Sequence, residues 1–238
     1  MKLYKLTDRN NKTQAGKINE TVWGPNVTHT ASGSGTELCT DGVIHAYIDP
    51  RLAAILNPIH VNFDQLKLWE AEGEIVAHQG QLIVGVKSLT TIKEIPLPVI
   101  TDEQKVKFAI LCALEVYKEE TFVSWANKWL SGEDRTTESA DRMASPLAAE
   151  EPPREWIDPA TELHARNAVF AAWAAARACS NAHSISPRSL AARSISAATQ
   201  SATTENRASE PATAAESFAA AVGNKDIDLI AILDKAMK

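Results

Sequence analysis

LCTDGVIHAYIDPRLAAILNP, residues 38–58, is the stretch from which the fold is read. Gly42 to Ile48 is an apolar run with an aromatic residue, the pattern of a strand. Asp49 and Pro50 stop it and open a helix, since Asp caps free N–H groups and Pro suits the first helical position. Leu52, Ala53, Ile55 and Leu56 then give that helix one apolar stripe, and Asn57 with Pro58 predicts its end. A strand feeding directly into a short helix belongs to a small α+β unit.

The flanking sequence extends this pattern. Residues 2–7 alternate around Leu3, Tyr4 and Leu6, and three more extended runs are predicted at residues 66–76, 81–87 and 89–95. His78 to Gly80 reads as a hairpin-like turn, and residues 30–36, with Ser32, Gly33, Ser34 and Gly35, as a flexible loop. Pro96 and Pro98 end the strand pattern. Thr101 with Gln104 predicts a capping box at the head of a long helix that buries Val106, Phe108, Ile110, Leu111, Leu114 and Tyr117. Phe122, Trp125, Ala126 and Trp129 recur at helical spacing up to Gly132.

Beyond residue 131 the composition turns polar and then rich in Ala, Ser, Thr and Arg. Residues 131–155 predict a linker with one short helix near Met143 to Ala149. Four helical runs follow, at about 158–181, 190–199, 211–222 and 226–237, anchored by Phe170, Trp173, Phe218, Ile230 and Leu233. The expected organisation is an α+β domain at 1–100, with a small mixed or antiparallel sheet, and an Ala-rich α-helical domain at 101–238. Close approach of small-residue helices also predicts a homodimer.

Charge and composition narrow the function classes. The 238 residues are 45% apolar and carry a formal charge of -6. That balance disfavours direct nucleic-acid binding. The first residues lack a signal-peptide pattern and no apolar run is long enough to span a bilayer, so a cytoplasmic protein without membrane attachment is expected. Cys39, Cys112 and Cys179 are three scattered cysteines, which suit free thiols. The six histidines, His29, His45, His60, His78, His164 and His183, show no metal-ligand spacing, so no metal is expected. Phosphate-binding glycine loops and the GxSxG turn are absent from the sequence. Glu70, Glu72 and Glu74 alternate along a predicted strand and suit contact with a protein partner, as does the large apolar Trp173 on an Ala-rich helix.

Residues 3–8 (LYKLTD), 38–58 and 90–95 (TTIKEI) resemble, over about the first hundred residues, the ADP-ribosyltransferase fold. That resemblance implies an NAD site walled by the strand and helix of residues 38–58. It makes Glu94 the group that stabilises the developing ribose cation, with Tyr47 and His45 shaping the pocket. Lys5 replaces the family's usual His or Arg, and Ile92 its usual acid or Gln.

Residues 38–58, 68–75 (LWEAEGEI), 88–98 (SLTTIKEIPLP) and 165–179 together resemble phage and prophage accessory proteins with an α+β domain and an Ala-rich tail. That second resemblance implies a non-enzymatic, cofactor-free protein in the host cytoplasm that binds a host protein and inhibits a defence component. An NAD-dependent transferase acting on a host macromolecule and a virion or assembly component are the alternatives.

Overall fold

Two strands of 13 residues each, β6 (Lys67–Gln79) and β7 (Ile83–Ile95), frame the first unit as one long hairpin. The expected break between residues 87 and 89 does not occur, because Ser88 itself stays in strand pairing, opposite Thr30, and Leu89 pairs with Gly73 of β6. The computed structural model describes residues 1–61, 63, 65–147, 174–175 and 227–238. Over these the chain is α+β, in two compact units, Met1–Ile100 and Thr101–Lys238.

Every strand pair is antiparallel. β1 (Lys2–Thr7) lies along the first half of β6, from Lys2 opposite Glu72 to Thr7 opposite Lys67. Along the far side of β7 lie β4 (Val27–Thr30) and β5 (Ile44–Ala46), end to end. β2 (Lys12–Thr13) and β3 (Thr21–Val22) form a separate two-stranded ribbon. Runs this short carry no detectable alternation, which is why periodicity missed β2, β3 and β4.

The sheet then closes on itself. Just past β5, the Tyr4 N–H donates to the Tyr47 carbonyl at 2.8 Å and the Tyr47 N–H returns to the Tyr4 carbonyl at 2.9 Å. The ring β1, β6, β7, β5 and back to β1 is a small barrel, bent by register shifts at three places along the β6–β7 ladder. Its interior holds Leu3, Trp23, Ala46, Ala71, Val84, Val86 and Leu89, with Ile44, Ile48 and Ile75 packed against them. Alternation along the strand therefore turns His45 and Tyr47 to the other face.

Helix α1 (Pro50–His60) packs beside β1 and buries Leu52, Ala53, Ile55 and Leu56. Asp49 caps it by accepting the Arg51 N–H at 2.7 Å. The helix does not stop at Pro58: it runs to His60, and the Val61 N–H reaches the Asn57 carbonyl at 3.1 Å. Proline lacks an N–H donor and disfavours a helix interior, and the Asn57 side chain steadies this end by bonding both the N–H and the carbonyl of Phe63 at 3.0 Å.

In the second unit the capping box forms as the spacing predicts. The Gln104 N–H donates to Thr101 Oγ1 at 3.1 Å, and the Thr101 N–H to Gln104 Oε1 at 3.0 Å. Helix α2 (Asp102–Val116) buries Val106, Phe108 and Ile110 as expected. It turns Ala109, Cys112 and Ala113 inward as well, while Leu111 and Leu114 are only partly covered. Helix α3 (Glu120–Ser131) buries Phe122, Trp125, Ala126 and Trp129, and ends where Gly132 takes a left-handed φ of 83°.

Helix α4 (Thr137–Leu147) occupies much of the expected linker. Its buried face includes Ala140 and Ala144, side chains too small to stand out in a hydrophobic pattern. Helix α5 (Leu229–Ala236), capped by Asp228, buries Leu229, Ile232, Leu233 and Ala236 and packs on α2. The expected helices at 158–181, 190–199 and 211–222, with Phe170, Trp173, Phe218 and the proposed dimer face, lie outside the described residues, apart from Ala174 and Ala175, which are helical and buried. Among the described residues no helix is long and apolar enough to cross a membrane.

Candidate functional site

Turned away from the barrel interior, Tyr47 meets the last residue of α1. Its hydroxyl lies 2.8 Å from His60 Nδ1, and the two rings stack with centroids 5.8 Å apart. Burial, helped by the nearby His45, draws the His60 imidazole down to about 4. Burial also pushes the Tyr47 phenol above its usual range. Near neutrality the pair is an uncharged imidazole and phenol sharing one hydrogen bond.

His45, two residues earlier on the same face, accepts the Cys39 N–H at Nε2 over 3.0 Å. That bond places the imidazole proton on Nδ1. Burial and the Lys5 ammonium hold its pKa below the ordinary value. Behind it, on the interior face, Lys5 donates to the His45 carbonyl at 2.7 Å and lies 5.3 Å from the centre of the Trp23 ring. Burial lowers the Lys5 amine to about 8. Trp23 is held in turn, its indole N–H bonding Thr13 Oγ1 at 3.0 Å and its ring meeting His29 edge-on.

A second anchor holds the Ser- and Gly-rich loop. Lys87, on β7, donates to the carbonyls of Ser34 at 3.0 Å and Gly42 at 2.8 Å, and also bonds those of Gly35 and Gly33. One ammonium gathers four main-chain oxygens, so the loop expected to be flexible, residues 30–36, is stapled to the barrel at Lys87, and the stretch that follows it at His45. Gly42 lies so close to the Gly35 carbonyl that an added Cβ would overlap it. Gly42→Ala is therefore expected to cost about 1 to 3 kcal/mol by forcing the loop off Lys87. Thermal melting together with limited proteolysis at residues 33–42 checks this, and an unchanged melt with an uncut loop would refute it.

The remaining candidates lie elsewhere. Glu94 sits at the end of β7 remote from Gly85, the partner of His45, and pairs with Lys67 at 3.4 Å. Among the described residues, no hydrogen bond or ion pair joins Glu94 to His45 or Tyr47. Glu70 is bound by Lys2 at 3.0 Å and approached by Lys93 at 4.0 Å. Glu72 and Glu74 are exposed, beside an open depression that Met1, Gly73, Ser88 and Thr90 help to line. Trp173 lies outside the described residues.

No family model matches the chain, and neither the curated proteins nor the solved structures contain a match to it. The chemistry of the site therefore rests on its own geometry. Lys5, His45, Tyr47 and His60 spend polar atoms on one another and on the backbone, which joins α1, β5, β1 and the loop. His60 and Lys87 were missed as site residues in the sequence. Pro58 masked the extra helical turn that delivers His60, and a lone lysine in a strand gives no sign of the carbonyls it gathers. Lys5 did carry a signal, as a cation among apolar neighbours in an alternating strand.

Proposed function

We propose that this chain is a phage-encoded accessory protein that works by binding a host protein, a defence component, in the bacterial cytoplasm, and that it needs no cofactor. The phage reading is supported by the resemblance of residues 38–58, 68–75, 88–98 and 165–179. The binding reading is carried by one observation. Glu72 and Glu74 stand exposed on β6 at the end of its pairing with β1, Glu72 opposite Lys2 and Glu74 one residue past the contact of Met1 with Gly73.

The acidity meant for the partner is local. Residues 1–100 hold nine Lys and Arg against ten Asp and Glu, so most of the acid excess belongs to 101–238. A complementary partner then needs a basic patch matched to Glu72 and Glu74. Tagged protein should capture a host protein from lysate, and a Glu72→Lys, Glu74→Lys double variant should lose it while keeping its circular dichroism. Equal capture by both proteins would count against this surface.

The transferase alternative makes a different demand. Labelled NAD incubated with host extract would have to transfer label in a way that Glu94→Gln abolishes. A virion component would have to co-sediment with particles.

A further inference from the structure

Residues 36–41 run between two carbonyls held by one ammonium. Lys87 takes the Gly35 carbonyl on one side of the stretch and the Gly42 carbonyl, at 2.8 Å, on the other. Its centre is held differently, by the Cys39 N–H donating to His45 Nε2 at 3.0 Å. The other hydrogen bonds of the stretch among the described residues stay within the loop. Thr40 Oγ1 donates to the Glu37 carbonyl at 2.8 Å, the Gly42 N–H to Thr40 Oγ1 at 3.2 Å, and the Gly33 N–H to the Asp41 carbonyl at 2.8 Å. Leu38, next to the His45 contact, lies against Gly85, the residue of β7 opposite His45: a Cβ added to that glycine would meet Leu38 Cδ2 at 3.1 Å. Residues 36–41 therefore cover the main chain of β7 as a flap with fixed ends, pinned at its centre through His45.

Two features make that pin conditional. Cys39 has a φ of 62°, in the left-handed region that a residue with a side chain enters at a cost, so its backbone relaxes on leaving. The donor in the pin is a main-chain N–H, which has no way to act as an acceptor. Only an imidazole with a bare Nε2 can receive it. A protonated imidazole carries N–H at both nitrogens, and two donors would then face each other.

We infer that residues 36–41 form an acid-released flap: a solvent proton taken up at His45 Nε2 breaks the bond to Cys39, and the centre of the flap lifts from Gly85 while Lys87 keeps both ends. The groups around His45 favour that outcome once it is charged. Lys5, on β1, donates to the His45 carbonyl at 2.7 Å and keeps a cation beside the ring. Burial, with this cation, holds the imidazole below its ordinary 6.5, so the flap is closed at neutral pH. His60, on α1, becomes a second cation only toward about 4, and Tyr47, on the strand of His45, stays a neutral phenol. β7 places the uncharged Gly85 opposite, with Lys87 two residues further on. The flap itself carries Glu37 and Asp41, and among the described residues neither forms an ion pair with His45. Release concerns the loop side of the barrel and stands apart from the host-binding reading, so its failure leaves capture through Glu72 and Glu74 untouched.

The test is amide hydrogen exchange of the full chain, read residue by residue by NMR and corrected for the intrinsic rate at each pH. Protection of the Cys39 amide should fall at least about tenfold between about pH 7 and about pH 4.5, in step with the titration of the His45 ring carbons. His45→Gln puts a carbonyl oxygen where Nε2 lies and does not titrate, so this variant should keep the Cys39 amide protected at both pH values. His60→Asn, which leaves the pin intact, should still show the loss.

A Cys39 amide already unprotected near neutrality would overturn the inference, as would one that stays protected in acid, whether or not His45 titrates. An equal loss in His45→Gln would overturn it too, since acid would then be acting on the whole fold. Should His45→Gln fail to fold, the Tyr4 and Tyr47 amides of the wild type take its place. A loss that these two barrel-closing amides share in full is global unfolding and overturns the flap; a loss confined to the Cys39 amide supports it.

Discussion

Leu3→Ala is expected to destabilise the barrel by about 2 to 5 kcal/mol. Leu3 is fully buried, pairs with Ala71, and packs in the interior beside Trp23, Ala46, Val84, Val86 and Leu89. It also stands next to Tyr4, whose two bonds to Tyr47 close the barrel. Truncation leaves a cavity that a closed ring of strands cannot readily collapse to fill. A domain's whole stability is about 5 to 15 kcal/mol, so a large part of it is at stake. Urea denaturation followed by circular dichroism measures the effect. Leu97→Ala is the control, expected to change stability by less than about 0.5 kcal/mol because Leu97 is 40% exposed. Equal losses from the two substitutions would mean that Leu3 does not hold the interior.

Acidification should remove about 3 kcal/mol through His60 alone. His60 titrates near 4 in the folded protein against an ordinary 6.5, so the unfolded chain takes up its proton first. The sign follows from linkage: the contribution is complete above about 6.5, falls as pH drops from there to about 4, and is flat below. At about 1.4 kcal/mol for each pKa unit, the folded-to-unfolded difference gives the stated loss.

The groups around His60 act in one direction. His45 is itself held below its usual pKa, by burial and by Lys5, and Tyr47 stays a neutral phenol. None of them supplies an anion to stabilise a protonated His60. His60→Asn keeps a hydrogen-bonding group near Nδ1 and removes the titration. Urea midpoints for the wild type and this variant, taken near pH 7 and near pH 4, should converge toward acid as the wild type loses its extra stability. Parallel curves would show that His60 is not the group responsible.

What was readable in advance follows from how far each interaction reaches along the chain. The Thr101 capping box, the Asp49–Pro50 start of α1 and the apolar face of α3 are each made by residues within a turn or two of one another. Their physics is local, so spacing alone announces them. The same logic failed where a local signal was outweighed. Pro58 predicted a helix end, yet bonding around Asn57 and the Tyr47 contact accompany one more turn to His60. Ser88 looked like a break between strands, yet the hairpin runs through it. Helix α4 was expected only from about Met143, and its earlier turns read as linker because the side chains they bury are mainly small.

The sequence by itself determined that a strand-bearing unit precedes a helical one, where α1 and α2 begin, where α3 ends, and which face α3 buries, because capping and periodicity operate between near neighbours. Only the tertiary structure decided that Tyr4 and Tyr47 close the sheet into a barrel, and that His60 reaches Tyr47. It also decided that Lys87 collects the loop carbonyls. Each of these joins residues well separated along the chain, and such contacts form only after loop closure has been offset by the burial of a shared core.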